Sequence, residues 1–269
     1  MILGDFHTHS TLDDGKSTLA EMVSAARALG LTRLGLSGHS WCPMEEDFCI
    51  SREGVPGYLE EARALREQYA GELEIFVGME LDYYGQRPKG LDYGIGSVHG
   101  LLLDGQFYPV DESPEKSRQA VEEQFGGDWY RYTDAYYDLV ADLPQKTGCD
   151  WIGHFDLVTK FNQGLRAFDE ESPRYLRRPL EVLDHLARTG VALELNTGAI
   201  SRGYRTEPYP ALPLLRHWRE VGGEIILNSD AHHASHLCYG FARAEELARA
   251  AGFDHANLWS KRGFQAVAL

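Results

Sequence analysis

Histidine or a carboxylate closes one short apolar run after another: Phe6-His7-Thr8-His9, Ser37-Gly38-His39, Gly78-Met79-Glu80, Gly96-Ser97-Val98-His99, Ile152-Gly153-His154 and Asn228-Ser229-Asp230-Ala231-His232. Each run has strand length, and stretches of helical periodicity separate them. Ligand-type side chains at the same end of successive strands meet only if the strands are parallel and the sheet closes on itself. The pattern therefore favours a (β/α) barrel over an open, doubly wound sheet.

The alternation can be followed along the chain. Ile2 to Phe6 reads as the first strand, and Thr18 with Glu21 forms a capping box ahead of a helix that Gly30 stops. Arg33 to Ser37, Leu73 to Leu81, Tyr93 to Val98, Trp151 to Phe155, Val191 to Leu195 and Glu224 to Leu227 supply six further strands, seven in all. Helices are expected over Tyr58 to Tyr69, Trp129 to Leu143, Ser172-Pro173 to Gly190, Leu212 to Val221 and Phe241 to Ala251. Residues 101–127 carry Gly, Pro, Asp and Glu without a clear period, as a long functional loop would. The stretch from Asn257 to Leu269 is weakly patterned and could add a short strand.

At 269 residues, this alternation suits a single domain spanning 1–269. No apolar run approaches the ~20 residues of a membrane span, and Met1 to Asp5 shows no basic leader, so a cytoplasmic protein is expected. Four cysteines without a CxxC pair are expected to be reduced thiols. A formal charge of −15 opposes nucleic acid as a partner, because that binding rests on basic stripes. A small phosphate ester is not opposed. Oligomeric state is not encoded in any of these features.

In His7-Thr8-His9 the imidazoles stand at i and i+2, which on a strand places both on one face. Asp230 and His232 repeat the arrangement. Glu80 ends an apolar strand where a lone buried carboxylate would be costly, and its two oxygens can bridge two cations. Any one of these histidines is more often a hydrogen-bonded core residue than a ligand. Their convergence at strand ends points instead to a metal centre.

The stretches Asp5-Phe6-His7-Thr8-His9, Gly38-His39-Ser40, Gly78-Met79-Glu80, Gly96-Ser97-Val98-His99, Gly153-His154-Phe155-Asp156, Glu194-Leu195-Asn196-Thr197 and Ser229-Asp230-Ala231-His232 resemble, in order and spacing, the PHP (polymerase and histidinol phosphatase) family. The resemblance covers nearly the whole chain and is closest to the family's stand-alone phosphatases. It implies a distorted (β/α)7 TIM-like barrel holding two to three divalent ions, with Zn, Fe or Mn suiting such ligands. His7, His9, Glu80 and Asp230 would hold one ion, and Glu80, His99 and His154 a second. His39, His232 and a residue after the HxH would hold the third. At that last position many relatives have His or Asp where this chain has Gly15, so Asp14 is the expected ligand and Asp13 its rival.

The implied activity is metal-dependent hydrolysis of L-histidinol phosphate in histidine biosynthesis, with Glu80, Asp230 and His232 as catalytic residues and no phosphoenzyme. Lys160 and Arg202, in loops where the resemblance places basic residues, are the expected phosphate clamps, with Arg205 as a substitute for Arg202. Acidic loop residues, among them Glu45, Glu46, Asp47 and Asp111, suit the substrate's ammonium group. His233 and His236 could line the mouth. The alternatives are a nucleotide or other small phosphate ester as substrate, an amidohydrolase-type hydrolase, or a non-catalytic metal-binding protein.

Overall fold

The structure is a computed structural model that describes residues 2–44 and 46–269. Seven parallel strands form the barrel wall: β1 (Gly4–Asp5), β2 (Arg33–Leu36), β3 (Glu74–Asp82), β4 (Tyr93–Ser97), β7 (Trp151–Ile152), β8 (Ala192–Asn196) and β9 (Ile225–Asn228), in that spatial order. The last strand meets the first through a parallel bridge between Thr8 and Ala231. There His9 N donates to Ala231 O (2.9 Å) and Ala231 N to His7 O (3.1 Å). The two segments richest in expected ligands thus form the seam of the barrel.

Helices cover the outside. Thr18 caps α1 (Leu19–Ala28) with the expected reciprocal capping box, and Ser172 caps α6 (Pro173–Leu186). Between them lie α2 (Val55–Gln68), which begins three residues before Tyr58, α3 (Pro114–Phe125), α4 (Trp129–Thr147) and the one-turn α5 (Asn162–Leu165). A further one-turn helix, α7 (Gly198–Ser201), α8 (Leu212–Glu220) and α9 (Phe241–Ala250) complete the set. On α4, Tyr132, Tyr136 and Tyr137 are buried in the core as packing residues, while Asp134 and Asp138 pair with Arg174, Arg177 and Arg178 of α6. Among the described residues, no helix is long and apolar enough to cross a membrane.

The pleat of β3 sets what enters the barrel. Ile75, Val77, Met79 and Leu81 pack outward with the α1 and α2 side chains, leaving Phe76, Gly78 and Glu80 on the opposite, inner face. Tyr93 fills the interior across Gly35 and Gly78, and its hydroxyl donates to Phe6 O (2.7 Å). A Cβ at Gly78 would stand 2.3 Å from the Tyr93 ring, so only glycine fits there. Below it Tyr93 stacks on Trp151 at 4.7 Å, and Trp259 lies 5.7 Å from Trp151. Glu80 is therefore raised on an aromatic floor toward the opposite mouth.

Two expectations need correction. Residues 101–127 are ordered: β5 (Gly100–Leu103) and β6 (Gln106–Pro109) form a hairpin, followed by α3 with Ser113 as its cap. Asp104 and Gly105 both have positive φ (49° and 83°), the geometry of a tight primed turn. The carboxyl terminus adds two strands, not one: β10 (His255–Ser260) and β11 (Gly263–Ala268) pair antiparallel, and β10 touches β9 at Asn257 and Ile226. Arg33 Nη1 binds Trp259 O (3.2 Å), fastening this hairpin beneath β2.

Candidate metal centre

Six of the seven barrel strands, all but β8, deliver the expected ligand side chains to one mouth. Glu80 sits at its centre, 1% exposed, and each of its oxygens faces a different set of imidazoles. Oε1 lies 2.9 Å from His154 Nε2 and 3.3 Å from His99 Nε2. Oε2 lies 3.1 Å from His7 Nε2, 3.1 Å from His39 Nδ1 and 3.6 Å from His9 Nε2. Asp230 Oδ1 stands 3.3 Å from His9 Nε2 and 3.9 Å from His7 Nε2. All the sequence-predicted ligands are brought together.

Among the described residues, three overlapping groups have ligand atoms close enough to hold a cation: His7, His9 and Asp230; His39, Glu80 and His99; and His9, Asp14, His39 and His232. The structure separates the two rival aspartates. Asp14 faces the cluster, with Oδ2 3.1 Å from His232 Nε2 and Oδ1 3.7 Å from His39 Nε2. Asp13 turns the other way, its Oδ2 accepting from His9 Nδ1 (2.7 Å) and from His39 N (3.0 Å). It braces the His9 ring and the His39 backbone and does not face the cluster.

Behind the histidines is a second layer of carboxylates. Glu194, wholly buried, accepts from His7 Nδ1 (2.8 Å), and Asp82 lies 3.3 Å from His99 Nδ1 while accepting from the Cys42 thiol (3.1 Å). A carboxylate on one ring nitrogen fixes the tautomer that leaves the other nitrogen's lone pair pointing at the cluster. Sequence reading gave Glu194 and Asp82 no role. The available signal was alternation, because Asp82 follows Glu80, and Glu194 precedes Asn196, at the i, i+2 spacing of one strand face.

The electrostatics show why the shell suits cations. Burial opposes charge on His7, yet Glu194, Glu80 and Asp230 hold its pKa well above the ordinary imidazole value. Burial likewise opposes charge on His9, but Asp13 and Asp230 raise it to about 10. His39 is depressed to about 4, chiefly by burial. Burial would raise the carboxyl pKa values of Glu80 and Asp230, but His7 and neighbouring cationic groups hold both well below the usual range. His7 Nε2, His9 Nε2 and Asp14 Oδ1 are buried polar atoms without a hydrogen-bond partner. Divalent ions fit this donor set, since they would occupy those lone pairs and neutralise the crowded carboxylates.

A cavity of about 150 Å³ opens over the cluster, and Lys160, Arg202 and Tyr204 line it together with Glu80, His154 and Asp230. Arg202 Nη2 bonds Asp230 Oδ2 (2.8 Å) and its Nη1 lies 2.9 Å from His232 Nδ1. Lys160 Nζ donates to Asp111 O (2.7 Å). Asp111 also lines an adjoining cavity of about 200 Å³ with Phe48 and Glu112. Of the other acidic candidates, Glu46 and Asp47 are exposed, and Glu45 falls outside the described residues. Arg205 does not face the cavity but turns to Thr159 and Glu170. His233 is exposed and bonds Ser235, while His217 and His255 pair with acidic neighbours away from the mouth.

The profile of the PHP domain matches residues 5–198. A protein of Deinococcus radiodurans named "Probable histidinol-phosphatase" is 32% identical over 93% of this chain and 94% of its own length. The histidinol-phosphatase of Bacillus subtilis is 23% identical over 88% of this chain and 96% of its own. Among solved structures, a histidinol phosphate phosphatase of Lactococcus lactis, complexed with zinc, L-histidinol and phosphate, superposes with a TM-score of 0.73 at 21% identity. That alignment covers 98% of this chain and 99% of the other, and the likeness extends to the fold.

Proposed function

The chain belongs to the PHP-domain family, and from that premise we propose that it is a metal-dependent phosphomonoesterase hydrolysing L-histidinol phosphate to L-histidinol and phosphate. The observation that carries the reading is Glu80, one buried carboxylate with imidazoles ranged on both of its oxygens. His7, His9, Glu80 and Asp230 would hold one ion, Glu80, His99 and His154 a second, and Asp14, His39 and His232 a third. Such ions, zinc, iron or manganese, lower the pKa of coordinated water and draw charge from phosphoryl oxygens.

The chain's own residues supply the rest. Glu80 and Asp230 link the ligand groups, and His232, with Nδ1 3.4 Å from Asp230 Oδ1, closes the cluster beside the cavity. We assign the reaction to these three. Lys160 and Arg202 are two cations that line the cavity, suited to phosphate oxygens that the ions would leave free. Asp111 is the acidic candidate that shares that cavity, and we assign it the substrate's ammonium group. The names of the relatives support this substrate, and a cytoplasmic biosynthetic role accords with it.

The test is a steady-state screen of metal-loaded protein with histidinol phosphate, phosphoserine, a nucleoside monophosphate and a neutral alkyl phosphate. A half-buried charge contact of this kind is expected to discriminate by about 100-fold in kcat/KM. A flat profile across the panel would reject the substrate assignment.

A further inference from the structure

We propose that Arg205 is a positioning residue that sets where Lys160 stands in the phosphate subsite; this rests on the phosphatase reading above. Two loops carry the cations of that subsite, one running from His154 to Glu170 and the other from Thr197 to Ala211. Thr206 N donates to Gln163 Oε1 (3.0 Å) and Ala211 N to Asp156 Oδ2 (3.0 Å) across the two loops, and Arg205 adds a charged tie between them. Its Nη1 donates to Thr159 O (2.7 Å) and Thr159 Oγ1 (2.7 Å), and its Nη2 to Glu170 Oε2 (3.1 Å).

The Thr159 carbonyl belongs to the same peptide unit as the Lys160 amide. That amide donates to Leu157 O (2.8 Å), so the peptide plane is held from both ends, by the turn on one side and by Arg205 on the other. A planar unit fixed in this way leaves the direction of the Lys160 side chain little freedom at its root. Thr159 is itself anchored, its Oγ1 donating to Asp156 O (2.7 Å) just beyond His154. Glu170 is anchored through Asn162 Nδ2 (2.8 Å). The Arg205 side chain is only 8% exposed, a burial that a surface charge would not adopt without a structural task.

Arg205 is also three residues from Arg202 on one short loop, so the same tie joins the two loops that carry these cations, while Arg202 itself is held by Asp230 and His232. Tyr204, between them, stacks edge-on against Phe161 (5.6 Å) and lies 4.9 Å from Lys160 Nζ. A guanidinium is needed here because it reaches a carbonyl and a carboxylate at once from a rigid fork, whereas an ammonium serves one well.

The experiment compares wild type, Arg205→Ala, Arg205→Lys, Glu170→Gln, Lys160→Ala and Lys160→Ala/Arg205→Ala, all metal-loaded. Measured are kcat and KM for phosphate ester, Kd for inorganic phosphate by calorimetry, bound metal, and Tm. Arg205→Ala should raise KM and phosphate Kd about 10-fold with kcat changed less than about 3-fold and bound metal unchanged. Arg205→Lys and Glu170→Gln should fall between it and wild type. In the Lys160→Ala background, removing Arg205 should add less than about 2-fold, since it acts through Lys160. Additive losses, or an unchanged phosphate Kd with only a lowered Tm, would overturn the proposal. Should Arg205→Ala not fold, Arg205→Lys and Glu170→Gln decide the same question. If wild type binds phosphate but hydrolyses no ester, the phosphatase reading fails while the phosphate Kd series still tests the tie.

Discussion

Replacing Glu194 by glutamine changes one atom and should weaken metal binding through His7, a proposed ligand that Glu194 contacts and the substitution leaves in place. Glu194 accepts four hydrogen bonds: His7 Nδ1 and Asn228 Nδ2 on Oε1, each at 2.8 Å, and Asn196 Nδ2 (2.8 Å) and His154 N (3.0 Å) on Oε2. Glutamine keeps one acceptor oxygen and presents an NH2 in place of the other. If the NH2 faces Asn196 and His154 N, two buried donors meet a donor, at about 1–3 kcal/mol for each unsatisfied group. If it faces His7, the imidazole relieves the clash by accepting at Nδ1 and moving its proton to Nε2, the nitrogen that points at Glu80. Either way the site is damaged. Loss of such a supporting partner lowers metal affinity about 10–100-fold, or about 1.4–2.7 kcal/mol. Chelator competition on zinc-loaded Glu194→Gln, with urea unfolding alongside, measures both terms. Zinc affinity within twofold of wild type and an unshifted unfolding midpoint would refute the tautomer argument.

Glu80→Gln should abolish turnover and lower bound metal, since it removes the charge on which both sets of imidazoles converge; full activity in metal-analysed protein would reject the assignment. Asp14→Ala should cost metal by direct loss of a ligand, whereas Asp13→Asn should retain stoichiometry and weaken affinity; equal effects on stoichiometry would erase the distinction. Lys160→Ala and Arg202→Ala should mainly raise KM for phosphate esters, and untouched kinetics in both would place the clamp elsewhere. Burial lifts the Asp156 carboxyl to about 6, well above its unfolded value, so the folded state binds the extra proton between roughly pH 4 and 6. Stability on this account falls as pH rises through that window and stays lower above it. Asp156→Asn should remove the penalty, so its stability relative to wild type should grow by about 2–3 kcal/mol between pH 4 and 7.5 in urea titrations. A constant difference would contradict the shift.

The barrel was legible because ligand chemistry and strand ends coincide. His7, His39, Glu80, His99, His154 and Asp230 each follow apolar stretches whose parallel pairing the alternation with helices already required. The 101–127 segment reads as a loop for want of a clear period, although local signals of structure are present: Asp104-Gly105 between two apolar runs marks a hairpin, and Ser113-Pro114 starts a helix as Ser172-Pro173 does. Its helix buries only Ser117, Ala120 and Val121, too little apolar surface to register as periodicity. The supporting carboxylates were hidden for another reason. Glu194 meets His7 across 187 residues, and nothing in local sequence says which buried acid faces a cation and which faces a ring nitrogen. Asp13 and Asp14 show the same limit at its sharpest, two adjacent carboxylates whose roles are decided by a turn of the backbone.

The central claim is that this mouth holds divalent cations on which phosphate release depends. Metal analysis of purified protein, paired with phosphate release from histidinol phosphate before chelation, after it, and after restoring zinc, manganese or iron, tests it most directly. Two to three ions per chain, activity lost with them and regained on their return, is the predicted result. Undiminished hydrolysis by protein stripped of metal would contradict the account.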